Sequence, residues 1–371
     1  MQAAVCRRAL TTAKRAFLRK EAQKRFDQTC LALPRSDKTK HVGRIFPLDV
    51  GGTLSFSPEV WCKEFTDYYI DLFRDRDNTI DKQTNRLQDL RRQAGSDTHI
   101  VVPRYIVLEV LAKGRSKSGS AAGADGVSWS AIPALPLSCI DLLANMFEGR
   151  INLATNLSSR IQSWADVLVT LIPKTTEPKL VKEWRPIALC AVVQKICVGV
   201  LIKLIDMFRA PVDPCQYGFT AGRQPMEISE AIRMTASKLA DWDLGGVFLK
   251  CDVSRAFDNI RHQHVLDALT KQDCPARLCH GVMLELLDCN VNIVFQGAQI
   301  DPIAMEEGGR QGGADTPALW IRVLDLGISR AKDRWRDESL GLCLPGADGG
   351  PQEYLFDCLA WADDIILGPP T

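Results

Sequence analysis

Three carboxylates and two cations are the residues of this sequence whose types and spacing suit them to chemistry. Asp363 and Asp364 sit side by side in Leu359-Ala360-Trp361-Ala362-Asp363-Asp364-Ile365-Ile366-Leu367, an apolar run broken only by these acids. Short apolar stretches flanking a polar pair predict a tight β-hairpin with the acids at its tip. Adjacent carboxylates repel, and burying them unpaired is costly, so the tip calls for a cation. Mg²⁺, which prefers hard oxygen ligands, meets that need; taken alone, the pair also reads as a solvated turn. A third acid, Asp252, ends the run Gly246-Val247-Phe248-Leu249-Lys250-Cys251-Asp252, where a predicted strand turns into a short helix. An acid there can face a cleft while its strand stays packed, although a lone Asp more commonly caps a turn. Lys174 and Arg185 stand at the two ends of a hairpin-like excursion that follows a predicted strand at 166–172. Such a pair suits a triphosphate, Arg by bidentate hydrogen bonds and Lys as a point charge; two ordinary surface cations are the other reading.

The elements that must position these groups read as a mixture of helices and strands. Helices are predicted at 3–31, from Pro58 through Phe73, at about 104–112, 189–208, 225–241, 261–271, 276–288 and 316–332. Ser57-Pro58-Glu59 is a helix start, with a cap, a proline at the first position and an acid in the first turn. The last helix follows Glu307-Gly308-Gly309-Arg310-Gln311-Gly312-Gly313-Ala314-Asp315-Thr316-Pro317, with Asp315 or Thr316 as its cap. Glycines before a helix let a planar or phosphorylated ligand lie against backbone, or simply form a loop. The small-residue stretch 114–127, with Arg115 and Lys117, carries the same pair of readings. A hairpin turn is expected near Gly297, a linker over 32–56, and a loose polar segment over 75–99 with a domain boundary near residue 96.

The totals bound the function class. A chain of 371 residues with 46% apolar content can hold two or three domains with real cores. The net charge of +1 is unevenly spread: residues 1–44 hold twelve Lys/Arg against three Asp/Glu, which leaves the rest at −8. That basic arm points to a polyanionic partner, with a solvated helix face as the alternative. Thirteen cysteines without a CxxC motif fit free thiols in a reducing compartment, and Cys274, Cys279, His280 and Cys289 lack the paired spacing of a zinc site. There is no signal-peptide pattern, and charges interrupt the longest apolar stretch, Ala191 to Phe208, so no membrane span and an intracellular location are expected.

In order and spacing, six short blocks resemble the reverse transcriptase domain of non-LTR (LINE-type) retrotransposons, a group related to the group II intron and telomerase enzymes. The blocks are Ser120 to Val127 (for K-A-x-G-P-D-G), Leu171-Ile172-Pro173-Lys174 with Arg185-Pro186-Ile187, and Gln216-Tyr217-Gly218-Phe219. They continue with Asp252 to Asp258 (D-V-x-x-A-F-D), Arg310-Gln311-Gly312 with Thr316-Pro317, and Trp361-Ala362-Asp363-Asp364. The resemblance covers about residues 104–371 and implies an α+β right-hand polymerase with an antiparallel palm sheet. With the boundary near 96 read from composition, the chain divides into a basic helical region and linker at 1–95 and, as the resemblance implies, fingers at 96–240 and palm at 241–371. The resemblance further implies an RNA template, a DNA primer and dNTPs as partners, and two Mg²⁺ ions, with Mn²⁺ as a possible substitute, held by Asp252, Asp363 and Asp364. Lys174 and Arg185 would clasp the triphosphate, and Gln311 would contact the nucleotide next to the template base. Phe257 would crowd the sugar 2′ carbon and so select deoxynucleotides, while Asp258 would brace the turn. By family resemblance the location is nucleus or cytoplasm.

Ser120 and Ala124 replace the usual Lys and Pro of the first block, and Ala188 and Thr316 replace serines. The sequence stops seven residues after Asp364, so a truncated domain without primer grip and thumb is expected. An RNA-dependent RNA polymerase would share the acids, but Phe257 and Ala362 argue for the reverse transcriptase. A decayed or domesticated fragment that binds nucleic acid without catalysis is the non-enzymatic alternative.

Overall fold

The computed structural model describes residues 45–76, 80–114, 122–123, 125–154, 162–208, 212–243, 245–287, 289–338, 342–344 and 354–368. From Phe46 onward the described residues belong to one compact unit. The basic arm, the helix predicted at 3–31, Arg115, Lys117, Ser120 and Ala124 lie outside the described residues.

Two strands and two helices open the compact unit: β1 (Leu48–Val50), β2 (Thr53–Ser55), α1 (Pro58–Phe73) and α2 (Ile80–Ala94). Helices α3 (Arg104–Gly114) and α4 (Leu137–Gly149) follow, then strands β3 (Asp166–Pro173) and β4 (Trp184–Leu189). Next come α5 (Val192–Asp206), α6 (Pro225–Asp241), strand β5 (Leu249–Asp252), α7 (His262–Lys271) and α8 (Ala276–Leu286). Strands β6 (Cys289–Phe295), β7 (Ala298–Gln299) and β8 (Ile303–Met305) lead to α9 (Thr316–Asp337). Last are β9 (Leu342–Leu344), β10 (Tyr354–Phe356), β11 (Cys358–Trp361) and β12 (Asp364–Leu367). The fold is α+β.

Two sheets matter for the site. The larger has the order β4-β3-β6-β7, with β8 also on β6; β3 and β4 are antiparallel, β3 and β6 parallel. Val167, Val169 and Leu171 alternate inward along β3, the period-2 pattern of a half-buried strand. The smaller sheet, β11-β12-β5, is antiparallel throughout. β5 therefore belongs to the smaller sheet although it lies in sequence between β4 and β6 of the larger.

An aromatic face on α1 explains its position. Trp61, Phe65, Tyr69 and Phe73 recur every four residues, and all are buried. Phe295 of β6 receives the first two, with ring centroids 5.4 Å from Trp61 and 4.6 Å from Phe65, and Trp184 also meets Phe295 at 4.8 Å. Helix α5 is apolar nearly all round and runs through the second core, against α3 and α8.

The structure corrects two expectations. Residues 80–94 are not loose but form α2, whose Leu87, Leu90 and Ala94 are buried and which packs on α8. Its few apolar residues suffice because only one narrow stripe meets a neighbour. Within the expected 32–56 linker, 48–55 is a β-hairpin turning at Gly51 and Gly52, both at positive φ. Ten described cysteines are free. Among the described residues, no helix is long and apolar enough to cross a membrane.

Candidate active site

The register of the smaller sheet brings two distant stretches of sequence together. β5 and β12 pair with Asp252 directly opposite Asp364, followed by Cys251 opposite Ile365 and Lys250 opposite Ile366. Residues directly opposite in an antiparallel pair point to the same face, with Cβ atoms about 4.5–5.5 Å apart. Asp363 occupies the turn, and its carbonyl accepts the Val253 N–H at 2.9 Å. Asp252 and Asp363 are exposed and Asp364 half-buried. The hairpin predicted for the acid pair is present, and the third acid lies across from it.

The turn itself is strained and held from outside. Ala362 has φ 58°, a left-handed conformation that costs a residue with a Cβ about 1–2 kcal/mol. Its carbonyl accepts the indole N–H of Trp320 at 2.8 Å. On the other side, the Tyr217 N–H donates to the Ala360 carbonyl at 2.8 Å, and the Ala360 N–H donates to the Cys215 carbonyl at 2.8 Å. Gly218 lies so near that a Cβ there would come within 2.2 Å of the Ala362 nitrogen. The Gln216-Tyr217-Gly218-Phe219 block is thus the seat of the acid hairpin.

Phe257 follows on the turn after β5. Its ring lies between Phe219, with centroids 5.9 Å apart, and Trp320, at 6.3 Å. Trp320 therefore touches both Phe257 and the acid turn. Asp258, next in sequence, is buried and accepts a hydrogen bond of 2.6 Å from the Gln311 side chain. Burial raises its carboxyl above the usual range, against the opposing pull of Gln311, Lys174 and Arg255.

The glycine-rich stretch before α9 is packed against protein. A Cβ on Gly308 would fall 2.6 Å from the Asp258 carbonyl, and one on Gly309 would fall 2.6 Å from the Thr316 side chain. The Gly308 and Gly309 N–H groups donate to the carbonyls of Ile260 (2.8 Å) and Phe257 (2.7 Å). Close approach to the protein itself, rather than to a ligand, requires these glycines. Arg310 and Asp315 form a buried ion pair at 2.7 Å that spans the loop. Gln311 is held at both ends, since its carbonyl accepts the Ala188 N–H of β4 at 2.7 Å.

Lys174 and Arg185 are exposed at the end of the β3–β4 pair, where Ile172 lies opposite Arg185. The Lys174 ammonium donates to the Lys182 carbonyl at 2.7 Å. Burial lowers its pKa, Asp258 raises it, and the charges of Arg185 and Arg255 lower it further. The expected site residues thus form two groups: Asp252, Asp363 and Asp364 on the small sheet, and Gln311 and Lys174 beside Asp258, with Arg185 beside Lys174. Phe257 immediately precedes Asp258 in the chain and packs on Phe219 and Trp320.

Lys250 joins the site without a motif to announce it. Its ammonium sits 2.9 Å from an Asp364 oxygen. The hydrogen bond and charge of Asp364 raise its pKa, and Asp252 and Asp363 add to the effect. Its place two residues before Asp252, on the same strand face, is the signal the sequence offers. Among the described residues, no three His, Cys, Asp or Glu side chains converge closely enough to hold a metal ion. The donor chemistry nevertheless fits hard divalent ions: three carboxylates share one end of the small sheet, and a cation already rests on one of them.

Comparison with known proteins points in the same direction. Residues 172–370 match the family described as "Reverse transcriptase (RNA-dependent DNA polymerase)". The chain is 25% identical over 251 residues to the retrovirus-related Pol polyprotein from type-1 retrotransposable element R2 of Popillia japonica, covering 67% of this chain and 32% of that protein. The R2 protein of Nasonia vitripennis is 26% identical over 251 residues, covering 67% and 22%. The transposon TX1 uncharacterized 149 kDa protein of Xenopus laevis is 23% identical over 201 residues, covering 54% and 15%. The chain spans less than a third of the length of each of these relatives. It belongs to the reverse transcriptase (RNA-dependent DNA polymerase) family, in the non-LTR retrotransposon branch.

Proposed function

We propose that the protein acts as an RNA-directed DNA polymerase, joining a deoxynucleoside monophosphate from a dNTP to the 3′-hydroxyl of a DNA primer on an RNA template. The pairing of Asp252 with Asp364, with Asp363 in the adjoining turn, carries this reading. Asp252, Asp363 and Asp364 would hold two Mg²⁺ ions, or Mn²⁺ in their place. Bound there, the ions supply polarisation of the primer hydroxyl and neutralise charge on the triphosphate and the leaving pyrophosphate. Lys174 and Arg185 bind the triphosphate by charge and by bidentate hydrogen bonds. Phe257, clamped between Phe219 and Trp320, crowds the 2′ position of the sugar. Gln311, tied to Asp258 and to β4, presents its side chain to the nucleotide beside the template base.

In the right-hand description, residues 96–240, with β3 and β4, serve as fingers, and residues 241–371, with the β11-β12-β5 sheet, serve as palm. Sequence choice rests on base pairing, with the protein holding backbone and shape. The reaction is placed in the nucleus or cytoplasm.

The test is primer extension on an RNA template with Mg²⁺ and either dNTPs or NTPs, alongside Asp363→Ala. DNA synthesis that the substitution abolishes is the expected result. Incorporation of NTPs in place of dNTPs would establish an RNA polymerase instead. Salt-sensitive RNA binding with no extension would leave a nucleic-acid-binding protein.

A further inference from the structure

Arg255 is the one residue of the Asp252–Asp258 turn with a backbone strained to positive φ, 53°. Such conformations persist where surrounding structure over-determines them, and they concentrate at working sites. Here the Asp258 and Asn259 N–H groups both donate to the Arg255 carbonyl, at 2.9 and 3.0 Å. The side chain is exposed, yet it does not swing free. Its guanidinium carbon lies 5.4 Å from the ring centroid of Tyr68. Tyr68 is half-buried on α1, and the buried Tyr69 ring meets it edge to face at 5.1 Å. Helix α1 is in turn anchored by its aromatic face and by the Phe73 carbonyl, which accepts the Glu306 and Glu307 N–H groups at 3.0 Å each.

We propose that Tyr68 is a positioning residue that holds Arg255 as a third cation, beside Lys174 and Arg185, for the polyphosphate of a nucleoside triphosphate. The inference rests on the polymerase reading above and deepens it. Three observations support it. Arg255, Lys174 and Arg185 are all exposed, and among the described residues none of the three takes part in an ion pair. Hydrogen bonds run from Asp258 to the Arg255 carbonyl, from Gln311 to the Asp258 carboxylate and from Ala188 of β4, the strand that carries Arg185, to the Gln311 carbonyl; burial lowers the Lys174 ammonium, and the charges of Arg185 and Arg255 lower it further. The acid among them, Asp258, is buried and engaged by Gln311, so the outward face keeps a positive excess that suits a polyanion. A planar guanidinium against an aromatic face is oriented in advance for bidentate phosphate contact, which an unsupported arginine is not. Tyr68 lies outside the family match at 172–370, so the upstream segment would shape the nucleotide site through Arg255.

The experiment measures binding of inorganic tripolyphosphate by calorimetry, and dNTP kinetics in primer extension, for Arg255→Ala, Tyr68→Leu and Tyr68→Phe. Arg255→Ala is expected to weaken tripolyphosphate binding by roughly tenfold. Tyr68→Leu should weaken it by about two- to fivefold, the range of an exposed cation–π contact, while Tyr68→Phe keeps the ring and stays near wild type. The KM for dNTP should rise in the same proportions, with kcat little changed. Unchanged tripolyphosphate binding in Arg255→Ala overturns the proposal, as does a Tyr68→Phe variant as weak as Tyr68→Leu. Arg255→Ala trims an exposed side chain, so it remains informative even if Tyr68→Leu does not fold. If the binding order holds but no primer is extended, the polyphosphate site stands and the polymerase reading fails. If primers are extended but neither binding nor KM depends on Arg255, the polymerase reading stands and the third cation is overturned.

Discussion

Replacing Gly218 by alanine tests whether the acid hairpin is clamped from the Gln216–Phe219 side. The new methyl would lie 2.2 Å from the Ala362 nitrogen, 3.0 Å from the Trp361 carbonyl carbon and 3.1 Å from the Ala362 Cα. Ordinary contact is about 3.5 Å, so one backbone or the other must retreat by about 1.3 Å. All three atoms met are backbone atoms of the turn, so no side chain can rotate away to absorb the overlap. Overpacking of this kind costs about 1–3 kcal/mol, which a domain stable by roughly 5–15 kcal/mol survives. Misplacing reacting groups by about 1 Å costs on the order of a hundredfold in rate. Gly218→Ala should therefore lose about two orders of magnitude in single-turnover primer extension while its urea midpoint falls only modestly. Amide exchange at Tyr217 and Ala360, whose N–H groups bond across this contact, should quicken. Gly327→Ala is the control, because nothing lies within 4 Å of a Cβ there. A helical Gly→Ala change should add about 0.5–1 kcal/mol and leave activity alone. Wild-type rate and wild-type exchange in Gly218→Ala would refute the clamp.

Four further outcomes are expected. Trp320→Phe keeps the ring beside Phe257 but removes the 2.8 Å bond to Ala362; stability should drop by about 1 kcal/mol in urea unfolding, with a larger relative loss of extension rate. Phe257→Val should relax sugar selection, read as roughly tenfold or greater relative uptake of NTPs over dNTPs in competition assays. Asp315→Asn leaves the Arg310 charge buried and unpaired, so chemical denaturation should show a loss of about 3–5 kcal/mol. Burial pushes His262 and His280 down to about 4, below the unfolded value of about 6.5. The unfolded chain then binds more protons between these values, so stability rises with pH across that window and is lost as pH falls from about 6.5 towards 4. Urea midpoints over this range should decline, with a shallower slope in His262→Gln.

The hairpin at 358–367 and the strand before Asp252 are legible in the sequence because apolar runs bracket their acids, a local pattern. The register is not, since nothing near Asp252 says that residue 364 will face it. The partners Lys250–Asp364, Tyr68–Arg255 and Gly218–Ala362 are hidden for the same reason: each joins segments far apart in the chain, which no local periodicity relates. The Gln216 block is recognisable as a motif, but its task of seating the hairpin exists only in three dimensions. The glycines at 308–313 have the composition of a ligand cradle, whereas their neighbours are Asp258, Ala188 and Thr316. Helix α2 hides behind its polar composition, which resembles that of a loose segment. Only the spacing of Leu87, Leu90 and Ala94 marks its buried stripe, and the polar residues around them do not erase it.

The pairing of β3 with β6 has a consequence for how the chain acquires its shape. These adjacent parallel strands are separated in sequence by the whole excursion that carries β4, α5, α6, β5, α7 and α8. Closing so long a loop delays the reward of the contact, which slows folding. During synthesis, β3 emerges well before the partner for its parallel edge, and β5 emerges before β12. Both edges are then unpaired templates for association with other chains. Chaperone dependence during translation, and a tendency of incomplete chains to aggregate, follow from the interleaving of the two sheets.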